Sequence, residues 1–265
     1  MEYRQNPITG DWTVYPSEPN GDSIKTSKST FYDSCVAPDF STLFNPKYDT
    51  GLINLTPVEI YGLFSDYRTA IKSLSDAEKT VYIHSIIKPS CTGKGDTCTS
   101  RASVVPAESR FLDKSIVISD RYYQEHTVCL LCTMVQEERK RQERILLQTN
   151  TFTAFAPFFQ RFPYEIWVVP NNHSAQFLDI SDAQLREFSS LCHDLFHRIY
   201  KAADNADFSI HIHHIIVPSE YHYCVHWYLE IIPWTTNWAG FEIATGMNIN
   251  IALPESCVEK LSKFH

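Results

Sequence analysis

No run of this chain approaches the ~18 consecutive apolar residues that a membrane-crossing helix needs. The N-terminal Met1-Glu-Tyr-Arg-Gln-Asn-Pro7 also lacks the apolar core of a secretory signal. Positive charge is short as well: 23 Lys and Arg face 31 Asp and Glu, a formal charge of −8. Nucleic acid is therefore not the expected partner, because neutralising phosphates takes clustered Lys and Arg. Cysteine, 8 residues in 265, is too sparse for a disulfide framework. Two of them, Cys129 and Cys132, form a C-x-x-C, which in a reducing compartment reads as metal or redox chemistry. A cytoplasmic or organellar interior is the expected setting. What the chain does have is apolar and aromatic mass: 43% hydrophobic, with 16 Phe, 14 Tyr and 5 Trp. That is enough for one large core or two packed halves, and too much for disorder over most of the length.

Residues 1–50 are rich in Pro, Ser, Asn and Asp and read as an extended arm, with one strand candidate at Asp11-Trp-Thr-Val-Tyr15. Thr56-Pro57 opens a helix, Thr as the cap and Pro in the first turn. Ile60, Leu63, Phe64, Tyr67 and Ile71 then follow at helical spacing. A strand is predicted at residues 81–87, and residues 88–127 read as irregular. The interleaved charges of residues 136–144 read as a solvated helix face or turn rather than a binding patch. Short strands are predicted at 145–148, 152–155 and 164–169. Ser181-Asp182 caps a long helix carrying Leu185, Phe188, Leu191, Leu195, Phe196 and Ile199 on one face, with Cys192 a small buried hydrophobe. Strands at 208–217 and 225–232 and a terminal helix around 256–263 complete the pass. Helix-then-strand thus occurs twice, at 57–87 and at 182–217, which reads as a degenerate duplication sharing one sheet.

Zinc is the first chemistry the spacing brings to mind. Cys129-Leu-Leu-Cys132 lets two thiolates reach one tetrahedral ion at ~2.3 Å, and His173 and His226 are candidates to complete the set. Equally, a C-x-x-C can be a redox or incidental pair, and His173 can cap the next helix.

Four segments carry a family resemblance. Arg4-Gln-Asn-Pro-Ile-Thr-Gly-Asp-Trp12 is one, and Ser103-Val-Val-Pro-Ala with Leu112-Asp113 and the C-x-x-C is another. The third is Phe155-Ala-Pro-Phe-Phe-Gln-Arg-Phe-Pro-Tyr-Glu-Ile-Trp-Val-Val-Pro170 with His173. The last is His226-Trp-Tyr-Leu-Glu-Ile-Ile-Pro233, followed by Ala239-Gly-Phe-Glu-Ile-Ala-Thr-Gly-Met-Asn-Ile-Asn250 and Pro254-Glu255. Together they resemble the galactose-1-phosphate uridylyltransferase family of the histidine-triad superfamily, most of all its ADP-glucose phosphorylase-like branch. The match is dense over residues 102–262 and patchy at 1–15. It implies an α+β fold of two histidine-triad-like halves, mainly antiparallel sheet flanked by helices. It divides the chain into an arm (1–50), a shortened first half (51–127) and a second half (128–265). It also implies zinc held by Cys129, Cys132, His173 and His226, and the loss of a first-half metal site, where Cys35 stands without a partner.

Members of that family transfer a nucleotidyl group through a histidine in H-x-H-x-Q. Counting back from Val104-Val105-Pro106 places that motif at Lys94-Gly-Asp-Thr-Cys98, with Asp96 in the nucleophile position and Cys98 in place of glutamine. No histidine lies between His84 and His126. The Gly93-Lys-Gly95 loop reads as a plain turn or a weak phosphate cradle. Cys98 has no neighbour that would lower its pKa. His211-Ile-His213-His214 offers a relocated nucleophile, and strand alternation puts His211 and His213 on one face and His214 on the other. The expected protein is a catalytically degenerate, zinc-bearing relative kept as a structural or interaction subunit. It would pair with another chain or itself and keep a nucleotide or sugar phosphate as a conceivable ligand. The alternative is an active nucleotidyltransferase or phosphorylase acting on nucleotide sugars through a relocated nucleophile.

Overall fold

The computed structural model describes residues 2–5, 12–15, 52–75, 81–87, 100–106, 110–215, 219–235, 240–245 and 247–264. The chain separates into two units, Met1–Thr42 and Leu43–His265. In the first, β1 (Glu2–Gln5) pairs antiparallel with β2 (Trp12–Tyr15), Glu2 opposite Tyr15.

Among the described residues, the second unit holds six α-helices: α1 (Pro57–Ser75), α2 (Arg110–His126), α3 (Leu130–Arg141), α4 (Asp182–Ala202), α5 (Gly240–Thr245) and α6 (Pro254–Leu261). Its strands are β3 (Val81–Ile87), β4 (Ser100–Pro106), β5 (Ile145–Gln148), β6 (Phe152–Phe155), β7 (Ile166–Pro170), β8 (Phe208–Ile215) and β9 (Tyr228–Pro233). They form one antiparallel sheet in the order β4-β3-β8-β9-β7-β6-β5. The protein is therefore α+β.

Both long helices begin where capping chemistry demands. The Thr56 hydroxyl accepts from Glu59 N (3.3 Å) while the Glu59 carboxylate accepts from Thr56 N (2.8 Å). Ser181 and Gln184 make the same reciprocal pair for α4. The two helices pack together, with Arg68 reaching Ile180 O and the Asp182 carboxylate. Each leads into a two-strand unit, α1–β3–β4 and α4–β8–β9, and the units meet at the β3–β8 pair, Tyr82 opposite Ile215 and Ile87 opposite Ile210. The repeated helix–strand order is thus a repeat in space.

Pleating gives the sheet two unlike faces. Phe152, Ala154, Ile166, Val168, Phe208, Ile210, Ile212, Leu229 and Ile231 turn to one face and share a core with Ile60 and Phe64 of α1 and Phe188 and Phe196 of α4. Phe155, Trp167 and Val169 turn to the other, where Leu131 and Val135 of α3 cover part of them.

Where residues 88–127 are described they are not irregular: they form β4 and α2. The apolar content of Ser100–Pro106 is only Val104-Val105 and an Ala. The strand is specified by its partner β3, along which it pairs for its full length. β7 starts at Ile166 rather than Tyr164, whose φ of 63° belongs to a turn. β9 starts at Tyr228 because Val225 N is still bonded back to Tyr221 O. Residues 136–141 are the solvated end of α3, closed by Gln142 at φ 60° with its N–H on Glu138 O. Glu138 itself turns inward and pairs with buried Arg144 at 3.0 Å.

Candidate metal centre

Cys129 occupies the cap position of α3 and Cys132 lies in its first turn, so the C-x-x-C spacing places both thiols at a helix N-terminus, where the dipole favours thiolate. His173 arrives on the loop after β7 and His226 on the lead into β9. Two hydrogen bonds staple these segments together through the residues that follow each histidine. Trp227 N donates to Ser174 O and Trp227 Nε1 to Ser174 Oγ, both at 3.0 Å. The Trp227 indole anchors the staple in the core, edge-on to Phe177 at 5.0 Å and Phe188 at 5.7 Å.

One ligand atom from each of Cys129, Cys132, His173 and His226 then falls within 4.8 Å of the others. Cys132 Sγ lies 3.4 Å from Nδ1 of both histidines, whose ring centres are 5.1 Å apart. His173 Nε2 faces His222 O at 2.7 Å, the outer contact that fixes an imidazole's orientation in a metal site. Cys129 Sγ contacts Cys224 O at 3.4 Å. The hydrogen bond from Cys132, helped by the two histidines, holds the Cys129 thiol far below the usual range, while that bond and burial raise Cys132. His173 is raised by its bond to Cys129, and burial lowers His226. Two sulfurs and two imidazoles at one point fit a tetrahedral, thiophilic ion.

The structure also places the histidine-rich strand. His211 and His213 share the face away from the helix core, rings 6.4 Å apart. His214 is buried in the helix-side core, its Nδ1 accepting from Phe177 N at 2.8 Å, and burial drives its pKa down to about 3. His211 Nε2 meets Ser209 Oγ at 2.8 Å. His213 Nε2 meets Glu230 Oε2 at 2.8 Å. The Lys94, Asp96, Cys98 and Cys35 positions lie outside the described residues.

Sequence reasoning missed the groups around Glu230. This buried carboxylate also takes the Arg161 guanidinium and Trp167 Nε1. Trp167 Nε1 donates as well to Glu165, which is wholly buried and accepts from Arg161 N at 2.7 Å. Burial works against the charged form of both carboxylates, yet the pair splits: Glu165 rises to about 7, while His213 and Arg161 hold Glu230 well below the carboxylate range. The available signal was a lone carboxylate inside each of two apolar strings, Tyr164-Glu-Ile166 and Leu229-Glu-Ile231.

Fold and cluster define a duplicated α+β protein with a Cys2His2 knuckle. Residues 116–235 match the galactose-1-phosphate uridyl transferase C-terminal domain. ADP-glucose phosphorylase of Arabidopsis thaliana is 26% identical over 223 residues, covering 80% of this chain and 60% of that protein. Galactose-1-phosphate uridylyltransferase of Thermotoga maritima is 32% identical over 85 residues, 31% of this chain and 26% of that one. Among solved structures, an Arabidopsis thaliana ADP-glucose phosphorylase with bound ADP-glucose superposes with a TM-score of 0.73 at 23% identity, covering 83% of this chain and 71% of that chain. A uridylyltransferase mutant reaches 0.80 at 17% identity, covering 99% and 98%. Over residues 116–235 the chain therefore resembles the galactose-1-phosphate uridyl transferase C-terminal domain, and over most of its length it is similar to an ADP-glucose phosphorylase, of which it spans 60%.

Proposed function

We propose that the chain is a zinc-bearing member of this family that has lost nucleotidyl transfer and is kept as a structural or interaction subunit. The convergence of Cys129, Cys132, His173 and His226 carries the reading. Four protein ligands fill a tetrahedral ion and leave no open position for substrate, so zinc there organises the fold. Residues 51–127 and 128–265 are read as the two halves, with 1–50 as the arm. The loss of chemistry is supported by the lack of any histidine between His84 and His126, where the resemblance places the nucleophile. A protein partner is supported by Ile243, Ile251 and Leu253, all exposed.

Metal analysis of the purified protein should give close to one zinc per chain. Cys132→Ser should lose the metal and most of the soluble protein, because zinc binding is coupled to folding. A metal-free native protein with unchanged stability overturns the zinc. Radiolabelled uridine and adenine nucleotide sugars should leave no covalent label on the protein.

The second reading, a relocated nucleophile, is favoured by one observation: Glu230 orients the His213 imidazole through Nε2, as a carboxylate orients a catalytic histidine. An acid-labile, alkali-stable adduct mapped to His213 or His211 would establish it and end the degenerate reading.

A further inference from the structure

Helix α4 carries two histidines that neither the core nor the Cys2His2 centre uses. His193 and His197 stand four residues apart, so their side chains leave the same face of the helix about 6 Å apart along its axis. Both are half-buried, while the residues just before them, Cys192 and Phe196, enter the core. Their rings meet edge to face, with centroids 4.7 Å apart and planes at 65°. Neither ring makes a hydrogen bond among the described residues. Asp194, between them in sequence, is engaged by Arg198 at 2.9 and 3.1 Å.

The Cys2His2 centre gives a scale for this pair. A ligating imidazole nitrogen lies ~2.0–2.1 Å from its metal, which puts the ring centre about 3.2 Å out. Two rings on one ion are then about 5.2 Å apart at a tetrahedral angle and about 4.5 Å apart at a right angle. His173 and His226 sit at 5.1 Å, near the first value. His193 and His197, at 4.7 Å, lie nearer the second. Right-angled nitrogen pairs belong to the tetragonal and octahedral coordination of Cu²⁺ and Ni²⁺, for which imidazole is a suitable ligand. No second segment has to be brought up, because one turn of helix sets the bite.

We propose that His193 and His197 form a surface site for a divalent transition cation of the Cu²⁺ and Ni²⁺ class, held by one nitrogen of each imidazole with water in the remaining positions. The site shares no residue with the Cys2His2 centre and stands whether or not that centre holds zinc. Its consequence is mechanical. The ion ties successive turns of α4, the helix whose Phe188, Leu195 and Phe196 belong to the main core, so occupancy stabilises the folded chain.

The test titrates the full chain with Ni²⁺ by calorimetry, follows the thermal midpoint, and measures zinc before and after. Saturable Ni²⁺ binding with the zinc content unchanged and a midpoint that rises with Ni²⁺ concentration is the expected result. His193→Gln and His197→Gln each leave a single imidazole. Losing the second, intramolecular ligand should weaken binding about tenfold or more. Without Ni²⁺ both variants should melt with the wild type, showing that they fold. His126→Gln, which removes an exposed histidine of α2 outside the pair, should leave Ni²⁺ affinity unchanged. A readout on the unaltered chain needs no variant: paramagnetic Ni²⁺ should broaden the imidazole NMR signals of His193 and His197 before those of His173 and His226. Broadening that begins at His173 and His226 overturns the proposal. So does the lack of saturable Ni²⁺ binding at millimolar concentration, or equal affinity in the wild type and both α4 variants.

Discussion

His213 and His214 are neighbours in sequence and live in different solvents. His214 turns to the helix side of the sheet, where it is wholly buried and Phe177 N donates to its Nδ1. His213 points to the other face, toward an ionic network of half-exposed Arg161 with buried Glu165 and Glu230 beside a cavity. The first face is held by volume and the second by charge. That distinction separates what can be altered by size from what can be altered only by chemistry.

The largest expected effects break the two faces in different ways. Phe188→Ala on the helix face should cost about 3–5 kcal/mol, and Phe188→Leu, which removes less volume, clearly less. On the other face, volume should not predict the cost. Glu230→Gln is nearly isosteric, yet it takes the nearer carboxylate from Arg161 and the charge partner from His213. With Arg161 half-exposed and still facing Glu165, the loss should be about 2–3 kcal/mol. Urea denaturation of the three variants checks this. A Glu230→Gln protein as stable as the wild type would mean that the network is an incidental contact.

The same division explains what could be read from the residues alone. The helix face was legible because its signal is periodic: Leu185, Phe188, Leu191, Leu195 and Phe196 repeat at helical spacing behind a Ser181 cap, and α4 lies where that pattern puts it. The alternation of His211, His213 and His214 was legible for the same reason. So was the short list Cys129, Cys132, His173 and His226, which the fold brings together, though the resemblance rather than spacing chose the two histidines. β4 and α2 were missed because β4 is specified by its pairing with β3, a contact that local propensity does not see. The staple between Ser174 and Trp227, and the Arg161–Glu165–Glu230 network, are non-local too. A single Glu in an apolar strand looks like noise until the strand beside it is known.

The last prediction sharpens the comparison by pH, since the two faces should respond with opposite sign. Burial lowers His214 to about 3, below the ~6.5 of an unfolded histidine. The unfolded chain therefore takes up a proton that the folded one refuses. The associated stability is present above pH ~6.5 and drains away as pH falls toward about 3. Glu165 is the mirror case: burial raises it to about 7, above the ~4.3 of a free glutamate. Its share is full below pH ~4.3 and is lost as pH rises through about 7. Between pH 5 and 6 each slope approaches about 1.4 kcal/mol per pH unit and the two oppose each other. Difference curves against the wild type isolate them. His214→Gln keeps an acceptor for Phe177 N, and its stability relative to wild type should improve as pH drops through this window. The relative stability of Glu165→Gln should improve as pH climbs through it. Parallel difference curves for the two variants would show that the faces are not electrostatically distinct, and that His214 and Glu165 titrate in the folded protein much as they do in the unfolded chain.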